Sequence, residues 1–140
     1  MSRGEILHRN RIKQIIEFSG MRWGNITPTD IDGVIEYHNI GWVWIEVKGA
    51  NIAVPRGQKL AMERFVVDVS NGNKQGVAIV STHHENDANK NILLSKCDVS
   101  EYFWSEKKKW AAPRYECNVL YFVSRIIGYW DERQKKLINQ

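Results

Sequence analysis

Three side chains in one short stretch have the types and spacing for phosphoryl chemistry: Asp32, Glu46 and Lys48. A strand turns alternate residues to one side, so Glu46 and Lys48 share a face while Val47 points to the other. Thirteen residues separate Asp32 from Glu46, and a β-hairpin over that length sets the two carboxylates side by side. Close carboxylates repel, and a cation between them relieves the repulsion. Mg²⁺ is the fitting ion, with Mn²⁺ as its substitute, because it is hard and is satisfied by one or two carboxylates plus water and phosphate oxygens. The expected ligands are Asp32, Glu46 and the carbonyl of Val47. Such an ion acidifies a bound water and offsets charge growing on a phosphoryl group under attack. Lys48, a compact and mobile point charge, would orient that water or hold the phosphate.

The elements that must position these groups are legible in outline. Ile31–Tyr37 and Trp42–Lys48 are β-branched and aromatic runs joined by His38-Asn39-Ile40-Gly41, which reads as a hairpin. Before it, Gly4–Phe18 carries Ile12, Ile15 and Ile16 at helical spacing and ends at Ser19-Gly20, where glycine suits a left-handed cap. After it, Pro55-Arg56-Gly57 opens a second helix to about Val69, with Leu60, Ala61, Phe65 and Val69 as its apolar stripe. Gly76–Ser81 is a buried strand, and Ile92–Leu94 and Glu101–Trp104 read as shorter ones, with a basic tip at Lys107-Lys108-Lys109. A final helix runs from about Asn118 to Leu137 on a stripe of Val119, Phe122, Val123, Ile126, Ile127 and Trp130. The order predicts an α/β sheet with helices packed on it.

Asp, a hairpin-length gap, then Glu-Val-Lys resembles the signature of the PD-(D/E)xK nuclease superfamily, which includes restriction endonucleases, Holliday-junction resolvases and phage-type exonucleases. The order of elements over about residues 4–82 is similar to that family's α-β-β-α-β core, with a mixed central sheet. Residues 83–140 would then supply small β additions and a C-terminal helix within one nuclease-like domain spanning 1–140. The resemblance implies a metal-dependent deoxyribonuclease in which Asp32 and Glu46 hold Mg²⁺ or Mn²⁺ and Lys48 is the catalytic lysine. Asp30 rivals Asp32, and Asp32 is favoured because Val34-Ile35 follows it directly. The family also implies supporting roles for Glu17, on the first helix, and Gln58, on the second. Two departures stand out: Pro28 does not directly precede an aspartate, and Met62 occupies the place of the tyrosine in the helical Gln-x₃-Tyr pattern. The alternative is a nuclease-fold protein that binds nucleic acid or a protein partner without cutting.

The bland reading of the same residues is a surface salt bridge worth under about 1 kcal/mol. Against it, Glu46 and Lys48 interrupt a run, Trp42–Val47, that otherwise reads as buried on both faces, and charge placed there needs compensation. Arg22, Arg56, Lys59 and Arg64 flank the proposed site and would suit a phosphate backbone. Trp104 and Trp110 beside the lysine tip could grip a strand by stacking and charge. His83-His84 reads as a solvated loop. The last helix leaves room for a homodimer seam.

Composition sets the outer bounds. The chain has 140 residues, 43% hydrophobic and 26% charged, with a net charge of +4, a globular balance that permits a DNA partner without requiring one. No apolar run approaches the roughly 20 residues of a membrane helix. Met1-Ser2-Arg3-Gly4-Glu5 lacks the pattern of a secretory leader. The expectation is a cytoplasmic protein, compatible with a phage or mobile element. Cys97 and Cys117 form no CxxC pair and are expected to be reduced, with no zinc site.

Overall fold

The computed structural model describes residues 16–139. The chain divides into two compact units, Met1–Asp30 and Ile31–Gln140. In the first, Trp23 and Ile26 exchange two backbone hydrogen bonds of 2.9 and 3.0 Å, and Arg22 Nε donates to the Gly24 carbonyl at 2.8 Å. The expected helix over Gly4–Phe18 falls almost wholly outside the described residues; its last three positions, Ile16–Phe18, are not helical. Glu17, Arg22 and Asp30 belong to this unit and are exposed.

The second unit is an α/β arrangement of one five-stranded mixed sheet and two helices. Strands β1 (Gly33–Tyr37) and β2 (Gly41–Gly49) form the expected hairpin, antiparallel with Gly33 opposite Ile45 and Tyr37 opposite Gly41. His38 and Asn39 have φ of 46° and 61°, and the Ile40 N–H closes the turn on the Tyr37 carbonyl at 2.7 Å. Positive φ at both central residues matches the right-handed twist of the strands. Gly41 is required by a close approach: a Cβ there would lie 2.7 Å from the Trp130 ring.

Helix α1 (Arg56–Asn71) carries the chain from β2 to β3 (Gln75–His83), which pairs with β2 in parallel. Then come β4 (Asp98–Trp104), antiparallel to β3, the two-residue β5 (Trp110–Ala111) and α2 (Val119–Ile138). The sheet order follows the chain, β1 to β5. Asn118 caps α2 by accepting the Tyr121 N–H at 2.8 Å; such a cap contributes about 1 kcal/mol.

Each face of the sheet is covered by one helix, which is why β2 and β3 are apolar on both sides. Val43, Ile45, Val77 and Ile79 pack with Val119, Val123 and Trp130 on the α2 side. Trp44, Ala78, Val80 and Phe103 pack with Met62 and Val66 on the α1 side. The α2 stripe follows the reading from sequence. The α1 stripe holds in part: Ala61 and Phe65 pack against the core on that side, but Met62 and Val66 are its fully buried residues and Leu60 is exposed. Ile92–Leu94 is not a strand; Leu94 begins a short 3₁₀ turn, Leu94–Lys96, and packs against the α2-side core. Cys97 and Cys117 are free thiols.

Candidate active site

Even-numbered residues of β2 face α1, so Trp42, Trp44, Glu46 and Lys48 line one side of the strand. Phe65 of α1 packs edge-on to Trp44 and Trp42, with ring centroids 5.5 and 6.3 Å away. Gln58 stands in the first turn of α1, the helix that follows β2. It is half-buried.

Glu46 is 1% exposed. Trp44, two residues earlier on the same face, donates its indole N–H to Glu46 Oε1 at 2.8 Å. The Ser81 hydroxyl on β3, fully buried, donates to the Glu46 main-chain carbonyl at 3.0 Å. Both ends of the residue are therefore fixed, the carboxyl by an indole and the backbone by a hydroxyl.

Asp32 stands one residue before β1. Continuing the antiparallel register past Gly33 and Ile45 puts it opposite Glu46. Asp32 Oδ2 accepts the Val47 N–H at 2.8 Å, taking the place of a ladder partner where β1 has run out. Main-chain N–H and C=O of one strand residue point to the same edge, so the Val47 carbonyl also faces the edge that β1 vacates.

Burial pushes the Glu46 carboxyl above the ordinary carboxylate range. The Trp44 bond opposes that rise, a hydrogen bond and the negative charge of Asp32 add to it, and the Lys48 charge pulls back. Asp32, Glu46 and Lys48 thus form one electrostatic cluster. Among the described residues no group of three or more His, Cys, Asp and Glu gathers as a metal site. The donors present are three hard oxygens, from Asp32, Glu46 and the Val47 carbonyl, in a cluster short of positive charge. That set fits a hard divalent cation whose remaining positions are water or substrate oxygens.

The other residues singled out in the sequence are dispersed. Lys59 is committed to an ion pair with Glu101 at 2.7 Å and lies over the Trp110 ring. Arg56 and Arg64 are exposed on α1. His83 Nδ1 accepts the Glu85 N–H, and His84 Nε2 lies 3.3 Å from Asp98. Asp30, Glu17 and Arg22 belong to the other compact unit. No protein-family model, curated protein or solved structure matches the chain.

Trp44 and Ser81 are the site residues that sequence reasoning missed. Trp44 had a signal, since it stands two positions before Glu46 and shares its face. Ser81 had one too, as the polar residue in the otherwise apolar run Gly76–Ser81.

Proposed function

We propose that the chain is a metal-dependent deoxyribonuclease of the PD-(D/E)xK type, hydrolysing DNA phosphodiester bonds at Asp32, Glu46 and Lys48. The observation that carries this reading is a fully buried Glu46 that interacts with both Asp32 and the charge of Lys48 at one strand end. The run β1–β2–α1–β3 follows the order of that superfamily's core, which supports the same reading.

Asp32, Glu46 and the Val47 carbonyl would hold Mg²⁺ or Mn²⁺. When bound, the ion supplies an acidified water and offsets charge on the phosphoryl oxygens. Trp44 holds one Glu46 oxygen and so sets the plane in which the other is offered. Ser81 fixes the backbone on which Glu46 and Val47 are carried. Lys48, on the same face two residues on, places its ammonium beside the scissile phosphate and steadies the attacking water.

The test is incubation of plasmid and of labelled linear, nicked and branched DNAs with Mg²⁺, Mn²⁺ or EDTA. Cutting is expected with either ion and not with EDTA. Glu46→Ala or Lys48→Ala should lower the rate at least about 100-fold while the circular dichroism spectrum is kept. Parental cutting by either variant refutes the roles; a parent that cuts none of the substrates refutes the function. A second reading, binding without cleavage, is favoured by the Trp44 N–H occupying Glu46 Oε1. Calorimetric titration with Mg²⁺ separates the two, since only the nuclease requires ion binding that Asp32→Asn removes.

A further inference from the structure

Helix α2 buries Val119, Val123 and Trp130 against the sheet. The steps that put those residues inward leave Tyr121, Arg125, Gly128, Tyr129 and Glu132 on the solvent side, and all five are exposed. Gly128 has no use within the domain. Glycine in a helix interior weakens the helix relative to alanine. Among the described residues, a Cβ at Gly128 would meet nothing within 4 Å, so no internal contact requires the gap.

The charges on either side of that gap are open as well. Among the described residues Arg125 has no ion pair or hydrogen bond. Glu132 has Lys135 at 3.8 Å, a pair in which both side chains are largely exposed. The Tyr129 ring is braced edge to face by Trp104, with centroids 5.5 Å apart. The spacing of these groups is symmetric about the bond between Gly128 and Tyr129. Arg125 stands three residues before Gly128, and Glu132 three after Tyr129. Tyr121 stands seven before Gly128, and Lys136, also exposed, seven after Tyr129.

We propose that α2 pairs antiparallel with α2 of a second copy, about a two-fold axis crossing the helix between Gly128 and Tyr129. That axis lays Arg125 against the partner's Glu132 and Tyr121 against the partner's Lys136. It sets the Tyr129 ring over the partner's Gly128, where helix axes about 8–10 Å apart leave little room for a side chain. Each contact occurs twice, as an interface that uses the same patch on both subunits requires. Opposite charges fix the register. A partner of another kind would not need this face to be complementary to itself. The α2 side of the sheet is the side away from Glu46, so the pairing and the nuclease reading stand or fall separately. One face of a 20-residue helix is small beside the roughly 800 Å² per partner of a stable interface. The dimer is therefore weak and forms with concentration.

The test is sedimentation velocity of the whole chain at low salt, from about 5 to 500 μM. The parent should pass from monomer to dimer over that range. Arg125→Glu and Glu132→Arg should each lower the dimer affinity at least about tenfold, because each sets like charges face to face. An equimolar mixture of the two variants should recover the dimer, since each supplies the charge that the other lacks. Both positions are exposed, so both variants should melt with the parent when dilute. Gly128→Gln restores helix propensity; it should raise the Tm of the dilute protein and yet lower the dimer affinity at least about tenfold. A parent that stays monomeric at the top of the range overturns the proposal. So does a mixture that fails to pair, a dimer that neither charge change weakens, or an undiminished affinity in Gly128→Gln.

Discussion

Glu46→Gln should make the metal-free protein more stable. The substitution keeps the shape of a side chain that is 1% exposed. The amide oxygen can still accept the Trp44 N–H, and the amide nitrogen can donate to Asp32 where two carboxyls now compete. Like charges about 4 Å apart at a protein surface repel by up to about 4 kcal/mol. Lys48 already cancels part of this, so the net gain should be about 1–2 kcal/mol. For a domain of this size that is roughly 3–8 °C in Tm.

The gain has a pH signature. The folded Glu46 pKa lies above the usual 4.5, so between the two values the folded state binds more protons than the unfolded one. Stability therefore falls as pH rises through that window and is fully present only below the unfolded value. The Gln variant lacks this loss, so its advantage should vanish at acid pH and be complete above the folded pKa. Thermal melts of both proteins in EDTA, from about pH 4 to 8, read it directly. Adding Mg²⁺ at about 100 times its Kd should return about 2.7 kcal/mol to the parent and little to the variant. If Glu46→Gln melts at or below the parent at pH 8 in EDTA, the clustered-charge account is wrong.

Three further outcomes follow from the packing. Ser81→Ala leaves the Glu46 carbonyl buried without its hydroxyl donor and should cost about 1–2 kcal/mol by urea denaturation, with weaker Mg²⁺ binding by calorimetry. Gly41→Ala drives a methyl into the Trp130 ring and should cost about 1–3 kcal/mol. In a Trp130→Phe background, which lacks the ring atoms it strikes, the same change should cost distinctly less, a coupling that a double-mutant cycle measures. Asn118→Ala removes the α2 cap and should lower stability by about 1 kcal/mol without altering Mg²⁺ binding.

The parts of this molecule that could be read from sequence are those where one local rule decides. The hairpin follows from alternating β-branched and aromatic residues around His38-Asn39, and α2 follows from six apolar positions below an Asn cap. Where two rules compete, the sequence misleads. In α1, Ala61 and Phe65 pack inward as the stripe predicts, but Leu60 and Met62 are both apolar and only Met62 is buried, with Val66, against Trp44, Val80 and Phe103. Ile92–Leu94 has strand-like composition, yet Leu94 anchors a turn against α2-side residues distant in sequence, and apolar content cannot tell an anchor from a strand.

The candidate site was legible for a different reason. Placing an acid inside an apolar strand costs several kcal/mol unless something nearby compensates, so Glu46 in Trp42–Val47 pointed to partners before any was known. The structure supplies a first tier of them: the Trp44 indole for one oxygen, Lys48 for the charge, and Ser81 for the carbonyl. These partners remain insufficient, because Asp32 is held against Glu46 by the Val47 N–H and drives its proton affinity up rather than down. On the nuclease reading proposed above, two acids held together beside an amine would take up a divalent cation that the polypeptide does not itself provide.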